Sequence, residues 1–320
     1  MPVDTEQFEN HRKKLTGHCY RMLGSALDAE DAVQETMLRA LRAADRFEER
    51  AAVSTWLYRI ATNVCLDALA QRSRRRLPTE DGQPYDVKSH KDNAPLTQEA
   101  AEHWLEPIPD AWIFDTSHDP AARAQMRQSV HLAFVAAVQR LSPTQRAAFL
   151  CTQVLGLSAQ EASEALQLSV ASVNSAVQRA RANLAPADLE SANNAAVLSE
   201  EQQQTARRFH EAFERYDMEA LTKLLTDDVT MSMPPYTLWL RGAAAVTGWN
   251  LGPGAGCRGS RFVPIEANGQ LGFAQYRQGG REPWSLVTLG FRGEKISTLT
   301  YFLETERLFP SFGLPLTLDA

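Results

Sequence analysis

The stretch from Leu77 to Pro120 sets the organisation of the whole chain. It holds six prolines (Pro78, Pro84, Pro95, Pro107, Pro109, Pro120) and ten acidic residues against only Lys88 and Lys91. A proline inside a helix removes one hydrogen bond and clashes with the preceding turn, and inside a sheet it removes a ladder bond. A net charge of −8 over this span adds self-repulsion. Residues 77–120 are therefore expected to form a linker dividing the 320-residue chain into separate modules. One island within it is apolar, running from His103 to Trp112. Two tryptophans are costly to leave in water, so Trp104, Leu105, Pro107 and Trp112 are expected to dock onto a folded surface.

The modules on either side read differently. Residues 1–76 read as helices. Asp28 is a candidate helix cap with Asp31 in the first turn, and Ala32, Val33, Thr36, Met37, Ala40 and Leu41 follow at helical spacing. A second helix places Val53, Trp56, Leu57, Ile60 and Val64 on an apolar face. Its other face carries Thr55, Tyr58, Arg59, Thr62, Asn63 and Asp67. It ends in the basic run Arg72, Arg74, Arg75, Arg76, which suits the negative end of a helix dipole.

Residues 121–186 read as short, strongly capped helices. Ser142-Pro143 with Gln145, and Ser158 with Glu161, are capping boxes. Ser169 opens a further helix soon after Leu166, a helix-turn-helix pattern. In that last helix Val173, Val177, Ala180 and Leu184 share one face. Ala171, Asn174, Ser175 and Gln178 point away, flanked by Arg179 and Arg181. Small polar residues on an outward face suit entry into a major groove, and the arginines suit phosphates. Residues 187–200 form a polar connector. From 201 to 320, helical spacing at Phe209, Ala212, Phe213 and Tyr216 gives way to strand patterns at 229–233, 261–266, 271–276, 285–291 and 296–303. This is a separate α+β domain.

The net charge of −6 conceals two basic blocks, residues 11–76 at +5 and residues 121–185 at +4, on either side of the acidic one. Phosphate attraction acts over about a Debye length, roughly 8–10 Å, so local blocks rather than total charge decide the partner. The pattern favours nucleic acid. No run of about 18 apolar residues is present, which excludes a membrane-spanning helix, and Met1 to Tyr20 is too polar for a signal peptide. Cys19, Cys65, Cys151 and Cys257 are too far apart for a zinc site or a disulfide framework. A cytoplasmic protein with no metal and no cofactor is expected.

The segment Asp28-Ala-Glu-Asp-Ala-Val-Gln-Glu-Thr-Met-Leu-Arg-Ala-Leu41 closely resembles region two of extracytoplasmic-function sigma factors of the sigma-70 family. Phe47-Glu48 and Ser54–Leu69 continue the match in order. Leu141–Arg146 and Ser169–Leu184 resemble region four. The resemblance implies a non-enzymatic promoter-specificity subunit with RNA polymerase core and promoter DNA as partners. It places core binding on Asp28, Asp31, Gln34 and Glu35. It places minus-ten recognition on Thr55, Tyr58, Arg59, Thr62, Asn63 and Asp67, with Arg72, Arg74, Arg75 and Arg76 on backbone phosphates. Minus-thirty-five recognition falls on Ala171, Ser172, Asn174, Ser175 and Gln178, with Arg179 and Arg181 on phosphate. Many relatives carry Lys where this chain has Asn174; Asn can bond adenine bidentately but supplies no charge. The linker of such factors threads a cleft of core polymerase that nucleic acid later occupies, and an acidic strand can mimic that occupant.

The last domain resembles the SnoaL-like branch of the nuclear-transport-factor-two-like cone fold, through its helix-then-strand layout and Asp227–Pro234. The fold class is thus multidomain: two all-α sigma domains (1–76 and 121–186), then an α+β SnoaL-like domain (201–320). Cone folds hold a pocket, and Met231, Met233, Tyr236, Trp239, Trp249 and Phe273 are its candidate lining. With no convincing acid–base pair in the sequence, this domain is expected to regulate the factor, holding it inactive until core polymerase or a ligand shifts it. A small-molecule ligand and an anti-sigma protein are further candidate partners. Two alternatives stay open: a ligand-responsive helix-turn-helix regulator, and a SnoaL-like enzyme fused to DNA-binding helices.

Overall fold

A computed structural model describes residues 8–44, 52–71, 74–89, 96–114, 126–184 and 198–318. The chain forms two compact units. One comprises Met1–Arg75 and Leu105–Ala196, the other Arg76–Trp104 and Val197–Ala320. The proline-rich segment is not a free tether: its first half belongs to one unit and its second half to the other.

The first unit is helical. Helix α1 (Arg12–Leu23) stops at Gly24, whose φ of 73° is left-handed and whose N–H caps the Tyr20 carbonyl. Ser25 then caps α2 (Ala26–Ala43), accepting from the Asp28 N–H at 3.1 Å. Asp28 is therefore in the first turn rather than at the cap. Ala29, Ala32, Val33, Thr36, Met37 and Ala40 form the inward face of α2. Helix α3 (Val53–Leu69) buries Leu57, Ala61, Val64 and Cys65, while Trp56, expected in the core, is half-buried with its ring 5.9 Å from Phe8.

After the linker come α4 (Leu132–Gln139), α5 (Pro143–Phe149, running into a π-helical turn at Leu150–Val154), α6 (Ala159–Leu166) and α7 (Val170–Asn183). Both capping boxes form, on Ser142 and Ser158. The two helical modules share one core, because α3 packs on α5 and α6, and α1 packs on α4. Arg146 ties them together. It is 2% exposed and donates to the carbonyls of Val138 (3.0 Å), Gln139 (2.9 Å) and Leu141 (3.2 Å), and to the Met22 carbonyl at the end of α1. Burial lowers its pKa to about 10, so the guanidinium stays charged at neutral pH. A buried charge is tolerated only when its donors are satisfied, as here.

The second unit is a six-stranded sheet, order β2-β1-β6-β5-β4-β3, in which only β1 and β6 run parallel. The strands are β1 (Leu225–Ser232), β2 (Trp239–Arg241), β3 (Arg261–Ala267), β4 (Gln270–Arg277), β5 (Glu282–Arg292) and β6 (Lys295–Phe302). With them come α8 (Glu200–Glu214), α9 (Met218–Leu224), α10 (Ala243–Leu251) and α11 (Thr305–Ser311). Helix α8 buries Ala206, Phe209, Ala212 and Phe213 against the sheet, and the Phe213 and Phe262 rings meet at 4.9 Å.

The half-linker in this unit is fastened by backbone bonds. Tyr85 N–H donates to the Trp239 carbonyl at 2.7 Å, Glu99 N–H to Pro235 at 3.1 Å, and Thr237 N–H to Thr97 at 3.0 Å. The Trp239 indole donates to the Asp81 carbonyl at 3.0 Å. Strand β2 is an edge, and pairing with the linker covers the unpaired groups an edge exposes.

Candidate functional site

On α2, Asp31, Gln34, Leu38 and Leu41 form one outward stripe. Asp31 and Gln34 are exposed, and Leu38 and Leu41 are 48% and 45% exposed. The two leucines were not among the expected contact residues, because a helical leucine is usually core. Glu35 is half-buried and accepts from Arg39 at 2.7 Å, and Arg39 also reaches Asp67 at 3.1 Å. Asp28 stands apart from the stripe, in a 2.7 Å ion pair with Arg75 whose two side chains are 14% and 6% exposed.

The outer face of α3 does not reach solvent as a whole. Arg59 and Asp67 are exposed, and Thr55, Tyr58 and Asn63 are half-buried. Thr62, expected to face DNA, is fully buried. Its Oγ1 lies 2.9 Å from His18 Nε2 and 3.9 Å from Cys151 Sγ, beneath the segment that follows α5. Tyr58 meets the His18 ring edge-on at 5.6 Å. Burial, with Arg21 nearby, lowers the His18 pKa to about 3, so this imidazole is neutral.

The basic run also departs from expectation. Arg72 lies outside the described residues and Arg74 is exposed. Arg75 is buried against Asp28, with Glu106 Oε1 3.8 Å away. Arg76 pairs with Asp81 and, at 2.7 Å, with Glu99, and its guanidinium lies 5.1 Å from the Trp104 ring. Neither Arg75 nor Arg76 is available to phosphate in this state, because Asp28, with Glu106 behind it, neutralises the first, and the linker acids Asp81 and Glu99 neutralise the second.

Glu106 is the residue that sequence reasoning missed here. It is 2% exposed, its carboxylate accepts from Ser25 Oγ, and its N–H donates to the Gly24 carbonyl at 3.0 Å. Its own carbonyl accepts from the Tyr20 hydroxyl at 2.7 Å. An acid set between Leu105 and Pro107 in an otherwise apolar stretch, Trp104–Pro109, was the available signal. Trp104 and Leu105 are 2% and 1% exposed and Pro107 is buried, whereas Trp112 is half-buried.

Helix α7 presents Ala171, Ser172, Asn174 and Gln178 to solvent, with Ser175 half-buried. Arg179 donates to Ser175 Oγ at 2.9 Å and Arg181 to Gln153 at 2.5 Å. Gln167, at φ 55°, makes the tight left-handed turn from α6, so α6–turn–α7 is a helix-turn-helix.

The second unit holds a half-open cavity of about 740 Å³. Met231, Met233, Tyr236 and Trp249 line it as expected. Trp239 and Phe273 do not: Trp239 packs with linker residues beside β2, and Phe273 stacks in the core against Phe262 at 5.5 Å. Missed were Arg277, Trp284 and Tyr301, and Val87 and Leu96 of the linker, which form part of its wall. Among its described lining residues there is no carboxylate and no imidazole. Among the described residues of the whole chain, no cluster of side chains could hold a metal ion and no helix is long and apolar enough to cross a membrane.

Helices bearing an exposed acidic–leucine stripe, a helix-turn-helix with a small polar reading face, and a cone-shaped domain with a cavity are the parts of a sigma factor with an appended domain. Family models agree: Sigma-70 region 2 matches residues 7–75, Sigma-70 region 4 residues 131–184, and the SnoaL-like domain residues 206–299. The chain belongs to the extracytoplasmic-function sigma factors of the sigma-70 family. It is similar to ECF RNA polymerase sigma factor SigG of Mycobacterium tuberculosis, 42% identical over 312 residues that cover 96% of this chain and 82% of that one. It is also similar to SigM of the same organism, 29% identical over 178 residues, 56% of this chain and 73% of that one. The crystal structure of the M. tuberculosis extracytoplasmic function sigma factor SigJ shares the fold over 98% of this chain and 100% of that one, at a TM-score of 0.62 and 20% identity.

Proposed function

We propose that this sigma factor directs core RNA polymerase to promoters, with α2 docking on core, α3 and α7 reading the two promoter elements, and the SnoaL-like domain modulating the whole. The observation that carries the reading is the pair of exposed surfaces on one chain: the Asp31–Gln34–Leu38–Leu41 stripe and the outward face of α7. A ligand-gated repressor needs the second but not the first. Roles for Asp28, Thr62 and Arg75 require that the first unit open, since these residues are paired or buried in it, and a role for Arg76 requires release from Asp81 and Glu99 in the second.

The enzyme reading is disfavoured. General acid–base chemistry requires a titratable group beside the reacting atoms, and the described cavity lining offers neither carboxylate nor imidazole. Burial also pushes up both the Tyr301 phenol and the Cys257 thiol, away from any role as base or nucleophile. The protein is read as a cytoplasmic regulator, not a catalyst.

Transcription in vitro with purified core polymerase and genomic promoter fragments tests the proposal. Specific initiation without added ligand or metal is expected. No retention of the protein by core polymerase at physiological salt refutes it. Truncation after Ala187, alongside Trp104→Ala in the intact chain, tests modulation. Output and protease sensitivity of residues 77–120 matching wild type in both variants would remove the regulatory role.

A further inference from the structure

Two polar groups that line the cavity of the second unit, on Tyr301 and Arg277, can act together on one ligand. Tyr301, on β6, lines the cavity and is 5% exposed, and its hydroxyl makes no hydrogen bond to a described residue. Burial pushes its pKa upward, so the phenol stays protonated and can donate. Arg277, at the end of β4, lines the same cavity. Its guanidinium makes no hydrogen bond to a described residue; its carboxylate neighbour Glu282 stands off at 3.7 Å. Instead its Cζ lies over the Trp284 ring, 4.1 Å from the centre. The loop after α10 leaves room for it, since a Cβ at Gly256 would come 3.1 Å from Arg277 Nη2.

A stacked guanidinium with free donors is pre-organised to take a planar anion through two parallel bonds. The remaining wall is aromatic and thioether: Tyr236, Trp249, Met231 and Met233. The volume, about 740 Å³, is in the range of small-molecule sites. One cation and one neutral donor match a single negative charge, because the amides of Asn250 and Gln275, which also line the wall, are already bonded within the fold. A phosphate ester would bring a second charge and leave it uncompensated beside Glu282.

We propose that this cavity binds a small, largely apolar carboxylate, its carboxyl group held by Arg277 and Tyr301 and its body lying among Tyr236, Trp249, Met231 and Met233. Because Val87 and Leu96 complete the wall, the bound molecule touches the linker directly. The site goes beyond the promoter-directing role and is tested without polymerase, so failure of one leaves the other standing.

The experiment titrates the full-length chain with 2-naphthoate and with decanoate, read by calorimetry and by tryptophan fluorescence, which Trp249 and Trp284 should report. Saturable binding of one or both acids is expected below about 1 mM. Arg277→Met should weaken it about tenfold or more, Arg277→Lys should recover part of the loss, and Tyr301→Phe should weaken it about threefold. Methyl 2-naphthoate should bind the wild type no better than the acid binds Arg277→Met. If Arg277→Met fails to fold, acid against ester on the wild type decides. No saturation by either acid, equal affinity for acid and ester, or an Arg277→Met protein that binds as wild type would each overturn the proposal.

Discussion

Replacing Glu106 by alanine removes the group that holds Leu105 and Pro107 against the turn between α1 and α2. In the native chain the carboxylate is 2% exposed, accepts from Ser25 Oγ and faces Arg75, itself 6% exposed. The substitution takes away one charge-assisted hydrogen bond and leaves Arg75 with Asp28, its partner at 2.7 Å. Breaking a buried pair outright costs about 3–5 kcal/mol, and a hydrogen bond to a charged group about 1.5–3 kcal/mol. Since Asp28 remains and the Arg75–Glu106 contact is the longer one, the lower range applies, about 2–3 kcal/mol. With a urea slope of about 2 kcal/mol per molar, the first helical unfolding transition should move down by about 1–1.5 M. The assay is far-UV circular dichroism in urea on Glu106→Ala, Arg75→Met and the double variant. Coupling is expected: Glu106→Ala should cost much less in the Arg75→Met background. A midpoint shift below about 0.3 M, or strict additivity of the two variants, would refute the claim that this cluster anchors the linker.

Three further outcomes follow from the same geometry. Asp31→Ala with Glu35→Ala, or Leu38→Asp alone, should weaken core binding in a pull-down while melting and helicity hold, because the one pair lost, Glu35–Arg39, is an exposed helix contact worth about 0.3–0.5 kcal/mol. Asn174→Lys should add one phosphate contact, steepening the salt dependence of promoter binding by about one unit on a log–log plot; an unchanged slope would place Asn174 off the DNA. His18 and His131 have pKa values lowered by burial to about 3 and about 4, so below pH 6.5 the unfolded chain takes up protons that the folded chain refuses. Stability should fall as pH drops, by about 2 kcal/mol per histidine at pH 5, and His18→Gln should flatten the decline; parallel melting-versus-pH curves for wild type and variant would count against it.

What the sequence disclosed and what it hid separate by range. The boxes at Ser142–Gln145 and Ser158–Glu161, the turn before Ser169 and the inward face of α7 are set by residues within four positions of each other, and all were legible. Thr62 was not, because its burial depends on Cys151, 89 positions away. Arg74 and Arg75 look alike in a basic run, yet only the second meets Glu106, which the linker delivers. Strand β2 has three residues, too few for alternation to show, and the linker lies along it through backbone groups that leave no side-chain period. In the cavity, Met231, Met233, Tyr236 and Trp249 were found by composition, Trp239 and Phe273 pack elsewhere, and Arg277 and Tyr301 sit on strands whose polar residues look no different from surface ones.

The cover over Thr62 turns a packing detail into a control on promoter choice. If α3 reads DNA only after the first unit opens, every promoter is bound by the open fraction alone, and apparent affinity scales with that fraction. Each 1.4 kcal/mol added to the closed unit lowers occupancy of all weak promoters about tenfold, while strong ones stay saturated. Substitutions around Cys151 or Arg146, far from any base, would then act as a threshold setting, deciding how many promoters respond without changing which sequence is preferred.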